Sequence, residues 1–431
     1  MNKKIGNLFK GDKVIWMVFF FLCMISIVEV FSASSNLTYK SQNYMGPIVY
    51  HAAMIFVGVI VAVFTLNVPC RYFKLMTPFL LVTTIVLLLW VLIFGEKIND
   101  GGRWIKIMGF TFQPSELAKG TMVLITAQIL SALQREDGAD RRAFKYILCL
   151  LVPIAILICV ENLSTAVLLV VVIFLMMFIG RVPLRQLGRL VALGVVFLAL
   201  MVGLVFALGG SDDAKSAELH KTEVVAQDGT VAKADDGSST NAAAEKSGGK
   251  SGGVFHRLTT WRNRFAKHFD KEDVPAEEYN IEENFQVGHA NIAIASSGII
   301  GKGPGNSTER DFLPQAFSDF IFAIVIEEMG ILGAAFVVFL YIVLLYRAAR
   351  IATRCENNFP AFLIMGLSLL LVIQASFNMM VAVGLAPVTG QPLPLISKGG
   401  TSTIINCVYI GAILSVSRSA KMKKEVKELR S

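Results

Sequence analysis

The chain has 431 residues, 54% of them hydrophobic and 17% charged, with a mean hydropathy of +0.61. This is far more apolar than an ordinary soluble domain, which excludes a soluble enzyme as the first expectation. Lys+Arg 40 against Asp+Glu 32 leaves +8, but in so apolar a chain the position of charge says more than its sum, and no nucleic-acid partner is expected.

Apolar runs near the roughly 20 residues that cross a bilayer predict an all-α polytopic membrane protein with about ten spans. In chain order they are Val14–Ala33, Ile48–Val68, Leu75–Phe94, Leu117–Leu133, Tyr146–Val160, Leu163–Ile179, Leu187–Leu208, Phe320–Tyr346, Phe362–Leu385 and Thr403–Val416. The start MNKKIGNLFKGDK, with Ser32 and Ala33 further on, imitates a signal peptide. The run between them is longer than an h-region of about 7–15 residues, so it reads as a retained first helix.

Alternate connections are basic: Lys3, Lys4, Lys10 and Lys13; Arg71 and Lys74; Arg135, Arg141, Arg142 and Lys145; Arg181, Arg185 and Arg189; Arg347, Arg350 and Arg354; Arg418, Lys421, Lys423 and Lys424. The positive-inside rule then places both termini in the cytoplasm. Fusing the two short spans around Glu161 would put a basic cluster on the wrong side, so the even count is preferred. The expected organisation is seven spans in 1–208, a large extracytoplasmic loop between helices 7 and 8 at 209–319, three spans in 320–418 and a basic cytoplasmic tail at 419–431. Within the loop, 209–253 is too polar to offset its ordering entropy and reads as a disordered insertion. From Val254, the residues Phe255, Leu258, Trp261, Arg262 and Phe265 suit an amphipathic helix, at the outer interface or docked on a partner. No internal repeat is visible. The six cysteines lie in apolar runs or basic connections and imply no disulfide framework.

Polar residues at membrane depth are costly, so they mark function or internal pairing. In NDGGRWIKIMGFTFQPSELAKG, Asn99 to Gly120, Pro114 opens a helix on which Glu116 and Lys119 share a face; mutual compensation and substrate contact are the two readings. Arg103 and Trp104 read as an interfacial anchor, with Arg103 also suited to a phosphate. In ENLSTA, Glu161 to Ala166, the residues Asn162, Ser164 and Thr165 suit a helix cap. From Asn284 to Gly330, the glycines Gly298, Gly301, Gly303 and Gly305 permit backbone approach to a ligand without forming a P-loop. Asp311 and Asp319 flank Leu313–Pro314, and Asp319 stands where the next span begins, a position that also suits a simple dipole partner. APVTGQPLPLISKGGTST, Ala386 to Thr403, reads as a re-entrant loop if protein or water satisfies its backbone. Its Lys398 either snorkels or meets a phosphate. His51 and His289 are isolated, with no HExxH or CxxC, so no zinc site is expected.

Three of these segments carry a resemblance. GGRWIKIMGFTFQPSELAK resembles GxxRWI…QPSExxK, FLPQAFSDFIFAIVIEEMG resembles LPExxTDFIFAxxxEExG, and PVTGQPLPLISKGGTS resembles PxxGxxLPxxSYGGSS. These are segments of the SEDS family of bacterial cell-wall proteins, which includes FtsW and RodA, and they occur here in the family's order. LPLIS, GGTS and the GDKVIW start look most like the division branch.

The resemblance implies a peptidoglycan glycosyltransferase that polymerises lipid II. It also implies a class B penicillin-binding transpeptidase and other divisome membrane proteins as partners, in the bacterial inner membrane at the division septum. The essential acid of the family falls on Asp319 and the upstream acid on Asp311, while Gln286, Asn378, Thr389, Ser397 and Gly399 fit positions near the cavity. Arg103, Glu116, Lys119 and Lys398 would face the substrate. Arg103, Lys119, Lys398 or a divalent cation, Mg or Mn, would stabilise the diphosphate; no organic cofactor is implied. The chain departs from the family at Glu161–Asn162–Leu163–Ser164–Thr165 in place of PDxGT, at Lys398 in SYGG, at Gln315 in LPE and at Ser318 in TDF. A lipid II flippase and a non-catalytic division scaffold are the alternatives, the first needing a midplane site and alternating access.

Overall fold

The computed structural model describes residues 10–33, 46–94, 96–98, 101–107, 110–209, 285–313 and 316–428. Each of the ten apolar runs falls on a helix: α1 (Lys13–Ala33), α2 (Gly46–Asn67), α3 (Cys70–Phe94), α4 (Pro114–Ala132), α5 (Arg141–Glu161), α6 (Leu163–Ile179), α7 (Leu184–Gly209), α9 (Ile321–Ala352), α10 (Asn358–Ala382) and α11 (Thr401–Glu428). A further short helix, α8 (Phe285–Ser296), precedes a 3-10 turn at Glu309–Asp311. Among the described residues seven helices are long and apolar enough to cross a membrane; α6 is apolar but has 17 residues, and α4 and α7 are not among the seven. All six cysteines are unpaired.

Local chemistry sets the boundaries. Pro114 occupies the first position of α4, where its missing N–H costs nothing. Asp140 accepts from Arg142 N to cap α5. Asn162 accepts from Ser164 N and Thr165 N, so the two short runs around Glu161 are separate helices joined by a cap, as the charge pattern requires. Asp12 caps α1 by accepting from Val14 N at 2.9 Å.

The segment ahead of Pro114 carries strands that the sequence did not announce. Three antiparallel strands, β1 (Glu96–Ile98), β2 (Gly101–Ile107) and β3 (Phe110–Phe112), form a small meander ahead of α4. Ile105 pairs with Phe112 and Ile107 with Phe110. A two-stranded hairpin, β4 (Gln134–Arg135) and β5 (Gly138–Ala139), joins α4 to α5.

Two units are present, one comprising 1–187 with 276–431 and the other 188–275. The second unit is represented in the described residues by most of α7. The polar insertion at 209–253 and the amphipathic stretch from Val254 lie outside the described residues, apart from Gly209 at the end of α7.

In the first unit α10 is central and packs against α9, α4, α11 and α6. α2 and α11 approach closely because both are small at the crossing. A Cβ on Gly58 would lie 2.6 Å from Cys407 Sγ, and one on Gly411 would lie 2.6 Å from Ala62 O. Where α1, α9 and α11 meet, far from Asp319, Arg347 Nη2 donates to Asp12 Oδ2 at 2.7 Å and Asp12 N donates to Ser417 Oγ at 2.9 Å.

α9 is broken at Gly330, whose φ of 70° and ψ of −173° belong to glycine alone. The break frees backbone groups that segment 298–303 takes up. Lys302 N donates to Glu327 O at 2.9 Å, Gly303 N to Glu328 O at 2.8 Å, and Leu332 N to Ile299 O at 3.3 Å. Gly301, expected to admit a ligand, instead admits this backbone. A Cβ on Gly330 would collide with Ile299 O.

Two outcomes follow from this packing. Gly330→Ala should cost about 2 kcal/mol or more and lower the detergent-solubilised protein's melting temperature by several degrees. For Asp12, burial alone would raise the carboxyl, but the Arg347 guanidinium and the Ile15 and Val14 N–H groups outweigh it and hold the group below the ordinary aspartate range. A carboxylate lowered on folding contributes stability above its unfolded value, near 4, and loses it as pH falls through the folded value. Asp12→Asn should therefore cost about 1 kcal/mol at neutral pH, near the scale of a solvent-screened pair. Melting curves of the two proteins should converge below about pH 4.

Candidate functional site

The segment between α10 and α11 is irregular backbone buried within the bundle, the re-entrant arrangement read from its prolines and glycines. Gln391, Leu393, Leu395, Ile396 and Ser397 are all buried, and Leu395 takes a φ of 67°. Side chains from three helices satisfy its carbonyls, and two further helices support them. Asn378 Nδ2 of α10 donates to Gln391 O at 2.8 Å and Gln374 Nε2 of the same helix to Pro392 O at 3.1 Å. Tyr341 of α9 donates to Pro394 O, and Ser26 Oγ of α1 to Ile396 O at 2.7 Å. The Gln391 side chain donates through Nε2 to Thr165 Oγ1 of α6 at 2.6 Å. Lys119 Nζ of α4 supports Gln374 by donating to its Oε1 at 2.6 Å.

This segment holds Asp319. Asn378 Nδ2 donates to Asp319 O at 2.8 Å, Ser397 Oγ to Ser318 O at 2.6 Å, and Lys398 N to Phe317 O at 2.9 Å. The peptide units on both sides of Ser318 are thus fixed, and Ser318 Oγ donates to Asp319 Oδ1 at 3.0 Å. Asp319 itself is half-buried. Lys398 Nζ lies 4.9 Å from the centre of the Phe317 ring, and burial draws this lysine below its ordinary range. Its ammonium is thereby held on the same short segment as Asp319, two residues from it along the fixed backbone. Asn378 Oδ1, Thr389 Oγ1 and Gln391 Oε1 are buried oxygens with no hydrogen-bond partner among the described residues. Such atoms are uncommon in a native interior.

The other expected residues divide. Glu116 and Lys119 are buried in the bundle and paired at 2.8 Å, with Tyr409 OH donating to Glu116 O at 2.5 Å. Mutual compensation is the arrangement seen, extended to Gln374. Asp311 is exposed on the 3-10 turn, its Oδ1 3.8 Å from Arg310 Nε. Gln286 is half-buried at the start of α8. One turn further along, His289 Nδ1 is 2.6 Å from Glu309 Oε2 and its ring stacks on Phe312 at 5.2 Å. Arg103 lies on β2, and its side chain is outside the described residues, as are Pro314 and Gln315. Sequence reading passed over Gln374 and Gln391. Both are neutral amides at membrane depth, which was the available signal.

Among the described residues no three His, Cys, Asp or Glu side chains converge on one point to hold a metal ion. The donor set around Asp319 is one carboxylate with amides and hydroxyls. It does not by itself form a divalent-cation centre.

The chain belongs to the Cell cycle protein family of FtsW, RodA and SpoVE, whose model matches residues 12–210 and 249–422. It is 28% identical over 415 residues to stage V sporulation protein E of Bacillus subtilis strain 168, covering 95% of this chain and 98% of that one. It is 27% identical over 416 residues to the probable peptidoglycan glycosyltransferase FtsW of Geobacter sp. strain M18, covering 94% and 96%. The fold matches a chain of a peptidoglycan synthase complex that coordinates polymerization and crosslinking, with a TM-score of 0.65 and 22% identity over 95% of this chain and 98% of that chain. With its seven span-length helices, the family makes this a multi-pass membrane protein.

The Glu116–Lys119 pair yields a clear expectation. Lys119→Met leaves a carboxylate buried without its cation and should destabilise by about 3 kcal/mol or more. Adding Glu116→Gln should recover a substantial part of that loss, read from thermal denaturation of the purified single and double variants.

Proposed function

We propose that this protein polymerises lipid II into glycan strands during septal wall synthesis, with Asp319 as the general base. The observation that carries this reading is the fixing of the Ser318–Asp319 backbone by Asn378 and Ser397, while Asp319 stays half-buried at the start of α9. A carboxylate held at the edge of an apolar bundle can accept a proton from a sugar hydroxyl that reaches it from the interface.

In this reading the 4-hydroxyl of an acceptor GlcNAc loses its proton to Asp319 as its oxygen attacks the anomeric carbon of the donor. The bond from that carbon to the lipid diphosphate breaks with inversion, and its electron pair leaves on the phosphate oxygen. Lys398, held against Phe317 in the same fixed segment, stabilises the departing charge. Asn378 Oδ1, Thr389 Oγ1 and Gln391 Oε1 supply polar atoms still free to orient sugar hydroxyls. Glu116 and Lys119 act from behind, through Gln374 and Pro392 O, to hold the buried segment in place.

The distribution of basic residues supports cytoplasmic termini and an outward-facing Asp319. Inner-membrane placement at the septum and pairing with a class B penicillin-binding transpeptidase and other divisome proteins rest on the family. The chain's likeness to a member of a peptidoglycan synthase complex adds support for a partner of that kind.

The test is lipid II polymerisation by purified protein with its candidate transpeptidase, glycan products being resolved on a gel. Asp319→Asn should lower the rate by at least about a hundredfold, the scale of losing a general base, and leave folded protein in the membrane. Polymer from the folded variant at the wild-type rate would remove Asp319 from the centre. Lipid II translocation by a wild-type protein that makes no polymer would favour the flippase reading instead.

A further inference from the structure

His51 stands in the sequence as an isolated histidine, and the chemistry above makes no use of it. In the fold it is enclosed: His51 of α2 is 3% exposed and Ser26 of α1, which it meets, is 0% exposed. His51 Nε2 lies 2.8 Å from Ser26 Oγ, and Ser26 Oγ lies 2.7 Å from Ile396 O in the segment ahead of α11. A histidine, a serine and a main-chain carbonyl from three distant parts of the chain are thus in consecutive contact.

The protons of these contacts can be assigned by counting. A carbonyl oxygen has none to give, and a serine hydroxyl has one. Two oxygens at 2.7 Å with no proton between them repel, so the Ser26 proton lies toward Ile396 O. Ser26 Oγ then meets His51 only as an acceptor, and the proton of that second bond belongs to the ring. The opposite arrangement, with Ser26 donating to a bare Nε2, would set the buried Ile396 O against oxygen lone pairs and lose a bond. His51 is therefore protonated on Nε2, whatever its Nδ1 carries.

This pair of bonds holds a single peptide unit. Ile396 O and Ser397 N belong to one rigid plane. Ser26 Oγ fixes its oxygen end, and Leu393 O, accepting from Ser397 N at 2.9 Å, fixes its nitrogen end. Ser397, which follows that plane directly, accepts through Oγ from Leu393 N at 2.7 Å and donates to Ser318 O at 2.6 Å. Lys398 N, the next along, donates to Phe317 O at 2.9 Å. Both ties to the backbone ahead of Asp319 thus start from the two residues just past the Ile396 carbonyl. Hydrogen bonds that share an atom polarise one another, so a donor to Ser26 Oγ strengthens the bond that Ser26 makes.

We propose that His51 is a positioning residue: by donating from Nε2 to Ser26 it locks the Ile396–Ser397 peptide and, through Ser397 and Lys398, the backbone that carries Asp319. Its effect on turnover rests on the glycosyltransferase reading; its proton and its bond to Ser26 do not. Without the ring donor the Ser26 hydroxyl can turn away from Ile396 O, and the plane loses the tether at its oxygen end. Glutamine places an amide N–H where histidine has Nε2, whereas asparagine places one at the Nδ1 position. The two amides therefore separate this bond from polarity in general.

Magic-angle spinning NMR of the full-length protein in lipid bilayers, with histidine labelled at its ring nitrogens, reads the proton directly. The chain has five histidines, and the His51 signals are those lost in His51→Gln. Nε2 should carry a directly bonded proton, and its resonance should move in Ser26→Ala; a bare Nε2, or no movement, overturns the assignment. In the polymerisation assay, with turnover expressed per folded protein, His51→Gln should stay within about threefold of wild type. His51→Asn should fall at least about tenfold in kcat with little change in KM for lipid II, since misplacing a reacting group costs rate. Ser26→Ala should show the same loss, and adding His51→Asn to it should cost no more than about twofold further. Equal activity of the Gln and Asn variants, a loss confined to KM, or additive losses at His51 and Ser26 overturns the positioning role. If His51→Asn does not fold, wild-type kcat in Ser26→Ala overturns that role and a tenfold fall upholds it. A wild type that makes no polymer while Nε2 carries its proton sinks the glycosyltransferase reading and upholds the bond to Ser26. Polymer from a wild type whose Nε2 is bare does the reverse.

Discussion

Backbone groups inside an apolar bundle must find their hydrogen bonds within the protein, and two departures from helix organise this molecule around that demand. At Gly330 the α9 ladder is broken, and segment 298–303 supplies the missing partners. Between α10 and α11 the chain runs as irregular backbone through the interior, and its carbonyls are met by Asn378, Gln374, Tyr341 and Ser26. Each solution draws several helices to one short stretch of chain. The candidate site is the place where the second stretch returns to the start of α9, so its geometry is inherited from backbone satisfaction rather than from contacts made for chemistry alone.

The buried charges follow the same logic. Glu116 with Lys119, Glu327 with Lys302 and Glu328 with Arg310 are each reinforced by amides, hydroxyls or backbone N–H groups. A bare ion pair in such surroundings would gain little over apolar packing, whereas a fully bonded one resists rearrangement because any shift strands a charge. Two of these pairs lie just ahead of the Gly330 break on α9, and the third stands behind the irregular segment. They fix the irregular backbone in one arrangement among several that packing alone would tolerate.

Much of this was legible in the chain. Hydropathy located every long helix, and the arginines on either side of Glu161 separated α5 from α6, where hydropathy alone would have fused them. Pro387, Pro392 and Pro394 with Gly390 marked a segment unable to continue either neighbouring helix. The motif around Asp319 marked an acid whose backbone Asn378 and Ser397 hold. What could not be read was tertiary exchange. Gly301 was visible as a site of close approach, but nothing local says that the approaching backbone is that of Gly330. Gln374 looks like an ordinary polar interruption of α10 until Lys119 and Pro392 O are brought to it from distant parts of the chain. The strands at 96–112 were missed because Gly101, Gly102 and Gly109 dilute the alternation that would signal them.

The Asp12 contact has a consequence for how the molecule is made. Asp12 leaves the ribosome more than three hundred residues before its partners Arg347 and Ser417, which come from α9 and α11. The same delay applies to Ser26 and Ser32, whose partners are Ile396 and Glu328. α1 therefore makes these contacts only after α9, the segment ahead of α11 and α11 itself have followed it into the bilayer, and until then its Ser26 has His51 of α2. A chain cut short ahead of α11 leaves α1 without the Ser417 bond that holds its start.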